Sequence, residues 1–537
     1  MNHSEHLHLT LEDESAWAKA GGTLETPPES APASSLGHVP HHQRTRILSG
    51  MRWSFWLSGI AVPFGAVINL FLARVGPETI GVYGLLSVYL GLLTSLLYFG
   101  GDSVIIKFVP ACKPDDQVSF LVSYLAVILF FLLPFLGLGY FSPGLIGFVL
   151  GRDLDPRDGL LLLCLAPVPI IFQMVLAGLK GTLDIKAAQI LSKSLNILSA
   201  LAYGIVIVAA RPILIYHPRA IIWGIYLVLS TLITIVGGLR IYRSCRGARV
   251  RPYLPNGFWR YAIDTQALSV ATFLSGRLDY IFLLNFGGLA DLGCYVAVTT
   301  IATTVSLVGI LFMDTLLPSL TNMIAAQNER AAAQVFTMHM RILFLVTVAM
   351  ACGIMVLAVD VAWIMGPQYA AVVRLIIAAT LFQGISVPGT YGGTLLSSVG
   401  RQRSGVITSA IKAAGFCAMF LVTWSRWHLA AAVCANGLAG ILCNVTLMTV
   451  GRRAAPFYPS VADLWTKAII VEATVAAIAL AWMPLSWAAG VAVWIAAMAA
   501  LLWAGHYDLA ELRSLMQVFV SSKRISPAFP ATLPGAS

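Results

Sequence analysis

Runs of apolar residues long enough to cross a bilayer recur along this chain from about Arg52 to near its end, and this feature constrains the fold most tightly. A hydrocarbon core about 30 Å thick takes roughly 20 residues of helix to cross. Inside it every backbone amide must find a partner within the chain, which helices and closed barrels achieve. Alternating segments of about ten residues, the mark of a membrane barrel, are absent. Composition agrees: 58 % of the residues are hydrophobic and 11 % charged, against about 25 % charged in ordinary soluble domains. The chain is expected to be an all-α polytopic membrane protein of about 14 helices. They are placed near 53–73, 79–101, 118–141, 158–179, 187–210, 219–239, 261–286, 291–317, 340–361, 370–397, 404–424, 428–450, 465–483 and 486–505.

The net charge of +10 follows this topology and gives no reason to invoke nucleic acid. Cytoplasmic loops of membrane proteins carry the excess of Lys and Arg. With the N-terminus inside, the inner loops hold Arg44, Arg46 and Arg52, then Lys107 and Lys113, then Lys180 and Lys186. The strongest marker follows helix six, where Arg240, Arg243, Arg246, Arg249 and Arg251 fall within twelve residues. Both termini are therefore expected in the cytoplasm. The first fifty residues are polar and lack an apolar signal-peptide core, which predicts a cytoplasmic tail. The eight cysteines stand singly, as buried apolar residues do.

An internal repeat organises the spans. The segments LARVGPETIGVYGLL and LLNFGGLADLGCYVAV superpose at a displacement of 212 residues, aligning Gly76 with Gly288, Gly81 with Gly293 and Tyr83 with Tyr295. Each glycine suits a tight turn between helices, and each tyrosine is expected as an anchor at the membrane interface. Phe172-Gln173 and Phe382-Gln383 mark a second correspondence, between helices four and ten. Parallel repeats of six helices imply a pseudo-two-fold axis along the membrane normal, with two lobes around a central cleft. The expected organisation is a tail over 1–47, an N-lobe over 48–245, a basic linker over 246–257 and a C-lobe over 258–450. Two accessory helices over 451–506 and a cytoplasmic tail over 507–537 complete it.

The stretches LSGMRWSFWLSG, FLARVGPETIGVYGLLSVYLGLL and GGDSVIIKFVP, followed by SGRLDYIFLLNFGGLADLGCY, LLPSL, IMGPQYAAVVRLI and LLSSVGRQR, resemble the polysaccharide transporter and oligosaccharide flippase branch of the MOP superfamily. The resemblance covers roughly residues 48–450. It implies a flippase of the bacterial cytoplasmic (inner) membrane that carries isoprenoid-diphosphate-linked oligosaccharide from the inner to the outer leaflet. Membrane lipids and lipid-linked oligosaccharide would be its partners, with polysaccharide polymerase or export components as further ones. The long polar N-terminal extension departs from the family pattern.

Ionisable groups within spans are costly and mark cavities or partners. Arg277 and Asp279 are two residues apart in helix seven and so face different directions. Arg277 also matches the Arg-x-Asp segment of the family, which makes it the first candidate for contact with a diphosphate. Its planar fork suits phosphate oxygens, and an ion pair that fixes the helix is the competing reading. Lys412 and Lys193 lie at similar depths in repeat-related helices and are candidates for a cationic lining, with snorkelling to the surface as the alternative. Lys107 is a candidate to meet an anionic head group, a position that topology alone explains equally well. Prolines inside predicted helices, Pro63, Pro167, Pro169 and Pro388, are expected to kink them. Gly384, Pro388 and Gly389, with Pro63, are candidate hinge positions, against close helix packing through small residues. Asp314, Asp360 and Glu472 are candidate proton carriers, against a structural role as the competing reading.

No catalytic constellation, P-loop or zinc motif is present in the sequence, so an enzyme is not expected. Neither is a cofactor, although coupling to a proton or sodium gradient stays open. Two other functions remain beside the flippase: a cation-coupled exporter of small amphipathic molecules, and a non-transporting scaffold of a polysaccharide assembly complex.

Overall fold

The computed structural model describes residues 64–110, 114–141, 165–182, 184–244, 251–325, 329–398, 403–456, 458–483 and 485–505, with a few single positions beside them. The expected N-terminal tail, the start of helix one with Pro63, the linker residues 246–250 and the C-terminal tail beyond 507 lie outside the described residues. All regular structure among the described residues is helical. There are 12 helices long and apolar enough to cross a membrane, and two shorter apolar ones, Phe64–Val75 and Pro167–Gly181, fall where spans one and four are expected.

The N-lobe comprises α1 (Phe64–Val75), α2 (Pro77–Leu97), the short α3 (Gly101–Phe108), α4 (Pro114–Phe141), α5 (Pro167–Gly181), α6 (Ile185–Ala209), the short α7 (Arg211–Tyr216) and α8 (Pro218–Ser244). The C-lobe comprises α9 (Phe258–Gly287), α10 (Leu289–Ala325), α11 (Glu329–Val356), the short α12 (Ala358–Met365), α13 (Val373–Ser386), α14 (Tyr391–Ser398), α15 (Arg403–Trp427) and α16 (Leu429–Ala454). The accessory pair is α17 (Ala462–Ala481) and α18 (Trp487–Ala504), and it packs on α11 and α13. Large apolar side chains such as Phe130, Leu133, Ile205 and Val422 are exposed on the outside of the bundle, as a lipid-facing surface requires.

Proline sets where several helices begin. Pro77, Pro114, Pro167 and Pro218 each open a helix. The missing N–H costs nothing in the first turn, and the fixed φ is already helical. Pro167 and Pro169 sit in the first turn of α5, just after a bend at Ala166; helical residues at 162 and 165 precede that bend, and Ala166 N donates to Leu162 O at 3.1 Å, as a kink at these prolines requires. Pro388 also interrupts its span. Between α13 and α14 the chain passes through a 3₁₀ turn at Val387–Thr390, because proline supplies no amide to an α-helical bond.

The repeat is written into the contact between lobes. A Cβ on Gly81 would collide with the Leu289 carbonyl, and one on Gly293 with the Pro77 carbonyl. Each of these contacts is the other displaced by 212 residues. Gly84 meets Val296, its own repeat partner, so the pseudo-two-fold axis passes between α2 and α10 at this height. Only the absence of a side chain lets the two backbones approach so closely.

At its other end α2 terminates in Gly100 and Gly101, with φ of 86° and 61°, a region open to glycine at no steric cost. The carbonyls that this end leaves unbonded within the helix are captured from neighbours. Tyr124 of α4 donates to Tyr98 O at 3.0 Å and Phe99 O at 2.9 Å. Gln266 of α9 donates to Ser95 O at 2.5 Å and Leu96 O at 3.0 Å, and its own carbonyl accepts from Gly100 N at 2.9 Å. One C-lobe side chain therefore holds the frayed end of an N-lobe helix. Phe258, at the start of α9, reinforces the joint by packing on Phe108, Phe120 and Tyr124.

Candidate functional site

A cavity of 930 Å³ opens beside α2 and is walled mainly by α9, α10, α13, α15 and α16 of the C-lobe. Its lining is polar for a membrane interior. Hydroxyls come from Thr94, Ser95, Thr265, Ser269, Thr272, Ser275, Thr299, Thr303 and Ser386, and amides from Gln383, Asn436 and Asn444. Three ionisable side chains complete it: Arg277, Asp279 and Lys412. Volume and polarity suit a polar ligand at the upper end of the roughly 300–1,000 Å³ range of small-molecule sites.

The two neighbours on α9 have different environments, as their spacing requires. Asp279 is 5 % exposed and already satisfied. Tyr295 of α10 donates to its Oδ2 at 2.5 Å, Asn436 of α16 donates to the same oxygen at 3.0 Å, and Oδ1 accepts from the Tyr280 amide at 3.0 Å. Asn436 also donates to the Tyr295 hydroxyl at 2.9 Å. The carboxylate thus ties three helices together on the cavity wall.

Arg277 is not drawn into that network. Its guanidinium lies 5.0 Å from the centre of the Tyr280 ring, a cation–π contact, and it also hydrogen-bonds the Tyr280 side chain. Arg277 borders a smaller cavity of 220 Å³ as well, lined by Tyr83, Ser87, Tyr280, Val296 and Thr300. Lys412 enters from α15, nine residues beyond the start of that helix, or about 13 Å at 1.5 Å per residue. Among the described residues no carboxylate lies within ion-pair distance of Arg277 or Lys412, although both act electrostatically on Asp279. Among the described residues, the cavity therefore presents two cations beside one acidic group, Asp279, which is occupied by neutral donors.

The remaining candidates lie elsewhere. Lys193 is half-buried on α6, which packs on α5, α7 and α8 and does not reach the cavity wall. Lys107 lies outside the lining as well: its ammonium is 3.7 Å from the centre of the Tyr261 ring, at the joint between α3 and α9. Gly384 sits within α13, while Pro388 and Gly389 form the 3₁₀ turn that follows it. Gly389 packs on Asn444 and Gly392 on Leu447, so this glycine-rich stretch both bends the span and seats it closely on α16.

Several lining residues were not legible as such. Tyr295 was expected at the membrane interface; it is fully buried and hydrogen-bonded to Asp279. Asn436 is an amide in an otherwise apolar run, which is the one local sign of an inter-helix partner. Gln383, visible in the sequence only as part of the Phe-Gln repeat mark, lines the cavity and bonds to Ser306 of α10. The numerous Ser and Thr residues carry no motif at all.

No protein-family model and no curated protein sequence matches this chain. Solved structures do. The lipid II flippase MurJ in an inward closed conformation superposes with a TM-score of 0.63 at 14 % identity, covering 86 % of this chain and 99 % of MurJ. An inward-facing multidrug resistance MATE family transporter of the MOP superfamily gives 0.57 at 15 % identity, covering 74 % and 95 %. A MOP superfamily transporter from Pyrococcus furiosus, described as having a binding pocket of reverse polarity, gives 0.51 at 16 % identity, covering 78 % and 96 %. At these identities the likeness is one of fold: the chain has the two-lobed architecture of the MOP superfamily.

Proposed function

We propose that this protein is a flippase that carries isoprenoid-diphosphate-linked oligosaccharide from the cytoplasmic to the outer leaflet of a bacterial inner membrane, for surface or exopolysaccharide synthesis. The observation that carries this reading is the pair of cavity cations, Arg277 and Lys412, with which no carboxylate among the described residues forms an ion pair. Half-buried cations lining a cavity favour an anionic cargo, and arginine engages phosphate oxygens through parallel charge-assisted bonds. The hydroxyls and amides around them are the groups that hydrogen-bond sugars, and the isoprenoid tail stays in lipid beside the lobes.

The same balance argues against export of organic cations. Such cargo calls for a carboxylate or a bare aromatic face, whereas Asp279 is satisfied by Tyr295 and Asn436 and Tyr280 is covered by Arg277. In this reading both termini are cytoplasmic, so the Gly81–Gly293 contact closes the outer side. Transport requires that contact to part while the Gln266 joint on the inner side gives way in turn. Binding is moderate, because a diphosphate held too tightly would not be released.

Lipid analysis of cells depleted of the protein tests the proposal. Accumulation of an isoprenoid-diphosphate oligosaccharide on the cytoplasmic leaflet, with loss of surface polysaccharide, is the expected result. Normal lipid-linked sugars together with raised sensitivity to cationic drugs would replace the flippase by the exporter. Normal behaviour in both assays would leave the scaffold.

A further inference from the structure

The accessory helix α17 is tied to the C-lobe by polar groups that an apolar span does not need. Trp465 donates its indole N–H to Ile385 O at 3.0 Å, one of the last carbonyls of α13 before the Val387–Thr390 turn. Glu472 lies seven residues further on, two turns along the same face. Its carboxyl presses on Gly384, where a Cβ would come within 2.6 Å of both oxygens. Alanine at 384 would displace it.

Glu472 is 1 % exposed and stands ten residues into α17, about 15 Å from the helix start. Neither carboxyl oxygen has a hydrogen-bond partner among the described residues. Thr380, one turn before Gly384 on α13, and Thr347 on α11 are buried with hydroxyls in the same condition. Among the described residues, no charged side chain acts on Glu472. Of the three helices packed on α17, α18 has no titratable residue, α13 brings only Arg374 at its far end, and α11 brings Cys352 into electrostatic reach. His339 and Arg341 of α11 lie three turns or more from Cys352, and Lys467 of α17 is paired with Asp463 at 2.7 Å. A carboxylate without solvent, donors or counter-charge is disfavoured so strongly that groups in such places take up a proton.

We propose that Glu472 is a proton-binding site coupled to the helix that lines the cavity. With α13 seated against α17 the side chain is the neutral acid. When α13 moves at the Pro388 turn, water reaches the carboxyl and takes the proton. The coupling path is one helix thick, because α13 presents Gln383 and Ser386 to the cavity and Gly384 to Glu472 on the accessory side. The link to transport rests on the flippase reading above; the proton site does not.

The test is infrared spectroscopy of the purified full chain in lipid nanodiscs, with hydrogen exchange of peptides over 384–398 measured on the same samples across a range of pH. In the wild type a protonated-carboxyl stretch is expected at neutral pH, and it should disappear in Glu472→Gln. Protection of 384–398, corrected for intrinsic exchange, should fall at least several-fold as the band is lost at high pH, and should stay constant in Glu472→Gln. If Glu472→Gln does not assemble, Glu472→Asp should shift the band, since its carboxyl is withdrawn from Gly384. A band unchanged by either substitution would overturn the proposal. So would its conversion at neutral pH to a carboxylate band on adding sodium, which would make the site a cation site. Neither readout depends on the cargo, so the proton site can fail while the flippase reading stands, and the reverse.

Discussion

Arg277 and Asp279 share one turn of α9, yet the fold uses them in opposite ways. Asp279 is a junction: Tyr295 and Asn436 both donate to it, and removing one donor leaves buried polar atoms without a partner. Tyr295→Phe should therefore lower stability by about 1–3 kcal/mol, seen as an earlier thermal transition in detergent, and Asp279→Asn should cost at least as much, because its NH2 must face either the Tyr280 N–H or the Asn436 amide donor. Arg277 is held by a ring face and not by a counter-ion, so its loss should spare the fold and weaken the cargo. Arg277→Ala and Lys412→Ala are each expected to reduce transport about tenfold or more, the worth of a charged hydrogen bond, with normal expression. Lys193→Ala, outside the cavity, should leave transport near the wild-type level. The sequence identified the charged members because charge inside a span is conspicuous. It left Lys193 and Lys412 equivalent by depth, since rotation of a helix about its axis is decided by packing that no single span contains. The serine and threonine lining was invisible for a related reason: a hydroxyl bonded to its own helix, as Thr299 is to Tyr295 O, looks the same in any helix.

Among the elements, α2 and α13 carry the mechanical load. The ends of α2 meet the C-lobe twice, through the glycine contact near Gly81 and through Gln266 at Gly100. Gln266→Leu keeps the bulk and removes three hydrogen bonds. It should open the joint between α2 and α9, measurable as faster hydrogen exchange over 95–101. The spans themselves were readable from hydropathy, down to the positions of fourteen apolar segments. The helix breaks were readable only in part. Proline announces that a helix is interrupted, but whether it starts one, as Pro218 does, or bends one, as Pro388 does, depends on what precedes it in space.

For the whole molecule, the repeat displacement of 212 residues is both a sequence pattern and a contact rule. It could be found in the sequence because glycines and tyrosines at fixed spacing are rare enough to align. That these glycines form the lobe interface required both lobes at once. A Cβ at position 84 would stand 3.6 Å from that of Val296, within the roughly 3.5–4.5 Å range of disulfides. The pair Gly84→Cys with Val296→Cys is therefore expected to cross-link under oxidation and to arrest transport until reduced. A variant that cross-links fully and still transports would exclude separation of the lobes at this contact.

The most direct measurement is translocation of a fluorescent isoprenoid-diphosphate oligosaccharide in proteoliposomes containing the purified protein, with Arg277→Ala/Lys412→Ala as the comparison. The wild type should move the lipid across the bilayer, and the double variant should lose this activity while retaining its fold. Equal translocation by both proteins would contradict the assignment of the cavity cations. Absence of translocation by the wild type, with transport of cationic amphiphiles in its place, would contradict the flippase itself.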